Sequence, residues 1–198
     1  MSAEQLRQGK RALRKSMVER VLALDLERRR HDEVLLAARF SALPGFAEAR
    51  SVLLYVMAFP EEIATGPLLV QTLECGKDLV CPRVDRAEGR LRLFQIDDPA
   101  RDLEPGTRAI PEPRRDCREV APKAIDWVLV PGLAFNTQCY RLGRGAGHYD
   151  RLLPTLRPEA QRWALIHDCQ WVEDLPVEPH DVPLDGVVSP GRISPRRP

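Results

Sequence analysis

The stretch Leu142-Gly143-Arg144-Gly145-Ala146-Gly147-His148-Tyr149-Asp150-Arg151-Leu152 decides how the rest of the chain is read. It follows an apolar run, Trp127 to Phe135, and precedes a segment, Tyr149 to Leu156, whose pattern predicts a short helix. A strand, a glycine-rich turn and a helix start are the parts from which α/β proteins build phosphate cradles. Glycine admits φ > 0 and lets backbone N–H groups come close to an anion, and the helix N-terminus adds partial positive charge. Arg141 and Arg144 add full charges able to grip phosphate oxygens bidentately. The loop is not a Walker sequence, since no Gly-Lys-Ser/Thr follows, and its glycine spacing is not that of a dinucleotide fingerprint. Taken alone it also suits a tight turn without a ligand.

Outward from the loop, strands and helices alternate. Ser2 and Gln5 have the spacing of a capping box, which predicts a helix from about residue 3 with the stripe Leu6, Leu13, Met17, Val21 and Leu24. Lys10 fills the gap in that stripe and Arg14 lies one turn on, so the pair is either solvated surface or reaches inward to an anion. A second helix is expected over about 32–42, with Val34, Leu35, Ala38 and Leu43 as its apolar side and Pro44-Gly45 as its stop, and a buried strand over 51–58. Glu61 and Glu62 follow that strand, and Thr65 is placed to cap a helix ending at Gly76. Further strands are expected at 78–82, 91–96, 125–130, 163–166 and 184–188, with 97–123 mostly irregular and a loose tail from about 190. This alternation predicts an α/β fold, one domain over 1–198, with an open, mostly parallel sheet and helices on both faces.

Composition narrows the function. Thirty Lys+Arg against 29 Asp+Glu leave a net charge of +1, which argues against nucleic acid or an anionic membrane as the main partner. Any anion site must therefore be local. Five cysteines lie far apart with no Cys-x-x-Cys pair, so neither a disulfide framework nor a zinc site is indicated, and a reduced cytoplasmic setting fits. No apolar run approaches the roughly 20 residues of a bilayer span, and no targeting signal is visible.

Four patches, read together, resemble the 5-formyltetrahydrofolate cyclo-ligase (5,10-methenyltetrahydrofolate synthetase) family. They are Lys10 to Arg14, Met57 to Thr65, Ile110 to Pro113, and Val130 to Phe135 running on through Arg141 to Asp150. The resemblance implies an ATP- and Mg²⁺-dependent enzyme that turns 5-formyltetrahydrofolate into 5,10-methenyltetrahydrofolate and releases ADP and phosphate, working as a monomer. It implies that Lys10 and Arg14 hold ATP phosphates, and that Arg141, Gly143, Arg144, Gly145, Ala146, Gly147, His148 and Tyr149 form the nucleotide loop. Asp150 and Asp185 would hold Mg²⁺, and Met57, Glu62 and Tyr149 would face the folate. Lys10, Glu62 and Arg144 would be the catalytic groups. Phosphoryl transfer depends on positioning and charge neutralisation, so cations, oriented N–H groups and a metal-binding carboxylate suffice, without a nucleophilic Ser or Cys.

The chain departs from the family pattern at Asn136 (usually Asp), Cys139 (usually Gly), Ala146 (often Lys or Gly) and His148 (usually Tyr). If position 139 needs φ > 0, a cysteine there is strained by roughly 1–2 kcal/mol. Two other readings stay open on the residues: a nucleotide- or folate-binding protein without turnover, and an ATP-dependent ligase or kinase for another small molecule. Trp127, Trp163 and Trp171 read as core rather than stacking platforms. Cys139 has no visible activating base, His167-Asp168 reads as a loop pair, and Arg28 to Arg30 as a solvated helix face.

Overall fold

Short apolar runs flanked by turn residues can bury both faces only inside a sheet covered on both sides, and that is where they lie. The computed structural model describes residues 3–106, 110–178 and 181–196. The first half contains α1 (Ala3–Leu22), α2 (Leu26–Phe40), β1 (Ser51–Leu53), α3 (Gly66–Glu74), β2 (Asp78–Asp85) and β3 (Arg90–Gln95). The middle contains α4 (Pro99–Asp102), β4 (Leu103–Pro105), β5 (Pro111–Pro113), β6 (Glu119–Val120), β7 (Trp127–Leu129), β8 (Ala134–Phe135) and β9 (Arg141–Leu142). The rest contains α5 (His148–Leu152), β10 (Gln161–Leu165), β11 (Gly186–Ser189) and β12 (Arg192–Pro195).

Eight strands form one sheet in the order β12-β11-β10-β7-β1-β2-β3-β6. The central neighbours β11, β10, β7, β1 and β2 pair in parallel, and antiparallel strands close both edges. From β1 the chain steps one way to β2 and the other way to β7, so the strand order reverses between β1 and β7. In open α/β sheets ligands bind beyond the carboxyl ends of the strands at such a reversal.

Alternation along each strand splits the core. Val52, Leu54, Trp127, Leu129 and Leu165 face α2 and α3, whose Leu36, Phe40, Leu68 and Leu69 cover them. Leu53, Val80, Val128 and Ala164 face the other way, onto Leu152, Leu153 and Leu156. Phe40, Phe46 and Trp127 meet edge to face at centroid distances of 4.7–5.6 Å, contacts that contribute roughly 0.5–1.5 kcal/mol each beyond their burial. The Trp127 indole N–H donates to the Pro44 carbonyl at 3.1 Å, so this ring is core, as expected. Helix α1 lies apart from both layers. Its Met17 packs on Leu133, Ala134 and Leu142, which brings Lys10 and Arg14 to the β8–β9 ribbon.

Several boundaries differ from the sequence reading. Helix α2 starts at Leu26, where the Asp25 carboxylate accepts the Glu27 N–H; its buried side is Asp32, Leu36 and Phe40, while Val34 is 68% exposed. Strand β1 ends at Leu53: Leu54 still donates to the Val80 carbonyl at 2.9 Å, and beyond it the chain leaves the sheet. The segment 97–123, expected to be mostly irregular, holds the short elements α4, β4, β5 and β6. The tail expected to be loose forms β12, antiparallel to β11; as an edge strand it tolerates Pro195. The capping box at Ser2 lies outside the described residues.

Candidate active site

A cavity of about 400 Å³ opens beyond the carboxyl ends of β1 and β7, walled by Tyr55 and Phe59 on one side and by Pro131 and Leu133 on the other. The glycine loop closes it. Gly145 and Gly147 have φ of +104° and +68°, conformations that favour glycine. The N–H groups of Arg144, Gly145, Ala146 and Gly147 find no backbone acceptor among the described residues, so they are available to an anion. A Cβ on Gly145 would stand 3.4 Å from the Arg14 guanidinium carbon, which shows how closely the loop is laid against that side chain. The helix that follows is only His148–Leu152, passing into a 3-10 turn at Leu153–Thr155. It is shorter than the expected 149–156, because Pro154 has no N–H to extend the α-helical ladder. So short a helix adds little dipole, and the positive field comes from the loop N–H groups and the side chains.

Four cations line the cavity, each anchored. Lys10 is 9% exposed, and its Nζ donates to Glu178 Oε2 at 2.6 Å and Asp181 Oδ2 at 3.3 Å. Arg14 Nε donates to the Gly143 carbonyl at 2.9 Å, joining α1 to the loop. Arg141 donates Nη2 to Asp150 Oδ1 at 2.6 Å and Nη1 to the Val182 carbonyl at 3.1 Å. Burial lowers its pKa, against the pull of the Asp150 carboxylate. Arg144 lies 3.4 Å above the centre of the Phe59 ring, is ion-paired with buried Glu61, and has its Nε 3.6 Å from Glu62 Oε1.

Glu62 faces this cluster from the opposite wall. Its Oε2 accepts the N–H groups of Ala58 at 2.8 Å and Phe59 at 3.2 Å. Burial outweighs these two bonds and holds its carboxyl above the ordinary carboxylate range. The Tyr149 hydroxyl is buried with no hydrogen-bond partner among the described residues, and burial also raises its pKa. Tyr55 donates its hydroxyl to the Ile63 carbonyl at 3.4 Å.

Lys10, Arg14, Glu62, Arg141, Gly143 to Tyr149 and Asp150 therefore all line one cavity. Two candidates do not. Met57 is 40% exposed outside it, held by its own N–H to Thr65 Oγ1 at 2.9 Å. Asp185 precedes β11 and so sits at the amino end of a parallel strand, on the far edge of the sheet from the cavity. There its Oδ2 accepts the Arg162 N–H at 2.7 Å, and it is not brought to Asp150. Sequence order placed it beside the last strand without saying at which end. Among the described residues no group of three or more His, Cys, Asp or Glu could hold a metal ion.

A family model described as the 5-formyltetrahydrofolate cyclo-ligase family matches residues 6–190. The chain belongs to that family. The 5-formyltetrahydrofolate cyclo-ligase of Escherichia coli K12 is 35% identical over 159 residues, covering 79% of this chain and 87% of that protein. The mouse cyclo-ligase is 26% identical over 197 residues, 95% of this chain and 97% of its own. The solution structure of the Aquifex aeolicus 5,10-methenyltetrahydrofolate synthetase superposes with a TM-score of 0.83 at 31% identity, covering 96% of this chain and 93% of that one.

Of the four departures from the cyclo-ligase pattern, Asn136 has a local explanation, and nothing in the structure explains Ala146. Asn136 Oδ1 accepts the N–H groups of Gln138 at 3.1 Å and Tyr140 at 3.0 Å, a job an amide oxygen does as well as a carboxylate. Cys139 has φ of +64°, alone among the described non-glycine residues, so the expected strain is present. Its thiol is buried against the Ser194 carbonyl at 3.4 Å and its pKa is raised by that burial, which disfavours the nucleophilic thiolate. His148 stands beside Arg151, 3.3 Å from its Nη2. His167 is tied to Asp32 at 3.0 Å inside the protein. The sequence reading noted Glu61 only as a carboxylate following the strand, and it missed Phe59, Glu112, Glu178 and Asp181. Phe59 and Glu112 lie in the quoted cyclo-ligase patches and could have been found there; nothing in the sequence marks 178 and 181.

Proposed function

We propose that this chain converts 5-formyltetrahydrofolate to 5,10-methenyltetrahydrofolate, consuming ATP and releasing ADP and phosphate. The observation that carries this reading is the meeting of four cations and the open N–H groups of Arg144 to Gly147 with a buried carboxylate, Glu62, in one cavity at the strand-order reversal. The cavity is built by one chain, so no second copy is needed, and five unpaired cysteines suit a reducing cytoplasm.

ATP supplies the phosphoryl group that makes the formyl oxygen a leaving group, and Mg²⁺ neutralises phosphate charge as this happens. Asp150 fits as the protein ligand of the metal, since it lines the cavity and stays 32% exposed while bonded to Arg141; Mg²⁺ needs only one or two carboxylates. Lys10 and Arg14 grip phosphate oxygens from α1. Arg144 spans both walls, with its guanidinium between the loop and Glu61 and Glu62, where negative charge develops on the transferred group. As N10 of the folate attacks the formyl carbon, Glu62 takes the N10 proton, and the carbon–oxygen bond to phosphate breaks. A carboxylate whose pKa is raised by burial is the stronger base for that step.

The reading is tested by following the near-ultraviolet absorbance of the methenyl product with 5-formyltetrahydrofolate, ATP and Mg²⁺, omitting each in turn. A signal that needs all three is expected. Folded protein that binds ATP and the folate but forms no product overturns it.

A further inference from the structure

The same cavity is also lined by the apolar Val84, Leu91 and Ile110 and by Glu112, a carboxylate only 5% exposed. Its position is fixed from two sides. The β4–β5 ribbon pairs Glu104 with Glu112, and Arg83 of β2 clasps that ribbon by donating to Glu104 Oε1 at 2.8 Å and to the Pro113 carbonyl. A Cβ on Gly106 would collide with the Glu112 side chain, so the hairpin backbone closes against it. Yet among the described residues no hydrogen-bond donor reaches the Glu112 carboxylate, and Arg83 Nε stands 3.8 Å from Oε2, beyond hydrogen-bond reach. The Tyr149 hydroxyl, without a partner among the described residues, belongs to a residue lining the same cavity. A buried carboxylate without donors is a demand that a ligand's N–H groups can meet.

We propose that Glu112 reads the 2-amino-4-oxo edge of the folate's pterin ring, its two oxygens accepting the N3–H and one 2-amino proton. The inference rests on the folate reading above and names the group that would give it specificity. A pterin presents two parallel N–H donors at the spacing of a carboxylate's oxygens. Adenine, the other ring the site would meet, sets one amine beside the acceptor N1, which a carboxylate repels. The apolar side chains around Glu112 suit the faces of a flat ring and raise the strength of the paired bonds by excluding water.

The test compares 5-formyltetrahydrofolate with its 2-desamino-2-methyl analogue on the wild-type protein and on Glu112→Gln, a change of equal volume. Wild type is expected to reject the analogue by about 10- to 100-fold in kcat/KM, as hydrogen bonds to a charged group would give. Glu112→Gln raises KM for the natural folate by a similar factor, treats the two folates alike, and leaves KM for ATP and the Tm unchanged. Equal use of both folates by wild type, an unchanged folate KM in Glu112→Gln, or a loss confined to ATP overturns the proposal. A purely structural Glu112 would lower Tm and raise both KM values without altering the discrimination. Should wild type not turn over 5-formyltetrahydrofolate, the catalytic reading fails by itself. Equilibrium binding of the two folates then decides Glu112: a retained preference supports it, and equal or absent binding overturns it.

Discussion

Asp150 and Asp185 each face an arginine, one at the carboxyl ends of the parallel strands and the other at their amino ends. Asp150 meets Arg141 at 2.6 Å beside an open cavity, with the loop N–H groups close by. Asp185 accepts the N–H of Arg162 at 2.7 Å, and its own N–H donates back to the Arg162 carbonyl at 2.8 Å, pinning β11 to β10. The difference teaches that an Asp–Arg pair has no fixed meaning. In an open α/β sheet ligands bind beyond the carboxyl ends of the strands, whereas this pair at the amino ends holds β10 and β11 in register.

The largest expected effect breaks the pair of aspartates apart. Asp150→Ala should lower turnover by about 10³-fold or more while the protein stays folded, because it removes the carboxylate proposed to hold Mg²⁺ and the ion-pair partner of Arg141. Asp185→Ala should do the reverse: turnover within about twofold, and a loss of roughly 1–3 kcal/mol of stability from the orphaned Arg162 N–H. Assay and urea denaturation of both variants check this. Lost turnover in a stable Asp185→Ala protein would join the two ends in one site and overturn the contrast.

Within the cavity end, Arg144→Ala should lower kcat/KM by about 10²–10³-fold, since an electrostatic stabiliser aimed at developing charge is lost. Glu61→Gln should retain more activity, because Phe59 and Glu62 still hold the guanidinium in place. If Glu61→Gln is as damaged as Arg144→Ala, the ion pair rather than the stacked ring positions the arginine.

Glu62 separates catalysis from stability by pH. Its folded pKa is raised by burial, so activity should rise with pH through that raised value, and Glu62→Gln should lose this limb together with most of its turnover. For stability the sign is opposite. The folded state holds the proton to higher pH than the unfolded chain, so the stability is full below the ordinary carboxylate range and falls as pH rises through the Glu62 value. At neutral pH Glu62→Gln should therefore unfold at a higher temperature than wild type. A flat pH profile, or a less stable Gln variant, would show that the backbone bonds from Ala58 and Phe59 outweigh burial.

These expectations separate what could be read from the sequence from what could not. The apolar run from Trp127 and the glycines at 145 and 147 announce a strand and a turn because each depends on local chemistry, β-formers and φ > 0. Strand direction is not local: the end at which Asp185 lies follows from β10 and β11 pairing in parallel, which its neighbours in sequence do not encode. The same holds for β12, where Pro190 before the strand and Pro195 within it read as a loose tail until the β11 edge offers the segment a partner. Val34 misled the placement of α2 because an isolated exposed valine looks like core in a pattern count, whereas the buried Asp32 is held by Arg28 and His167 across the fold. The ion pairs of Lys10 reach 168 and 171 residues along the chain, and no local signal marks Glu178 or Asp181.

The smallest effect tests the far end of the ribbon that carries the loop. The turn at Asn136–Tyr140 reverses β8 into β9, and Cys139 there shares with Gly145 and Gly147 a positive φ, at +64°. It differs from them in what surrounds it: its carbonyl accepts the Leu184 N–H at 2.9 Å, next to Asp185, and its sulfur is packed in the core. Nothing needs to approach that backbone, so a side chain is tolerated where packing offsets the strain. Cys139→Ala keeps the strain and loses the sulfur; Cys139→Gly loses both and gains freedom in the unfolded chain. Relief of roughly 1–2 kcal/mol, reduced by about 0.4–1 for the glycine entropy, leaves the Gly variant about 0.5–1 kcal/mol more stable than the Ala variant. Paired urea midpoints measure the difference, and both variants should turn over normally. An Ala variant as stable as the Gly variant would mean that the turn relaxes out of φ > 0 once the sulfur is gone, and that packing at Ser194, rather than the hairpin itself, sets its conformation.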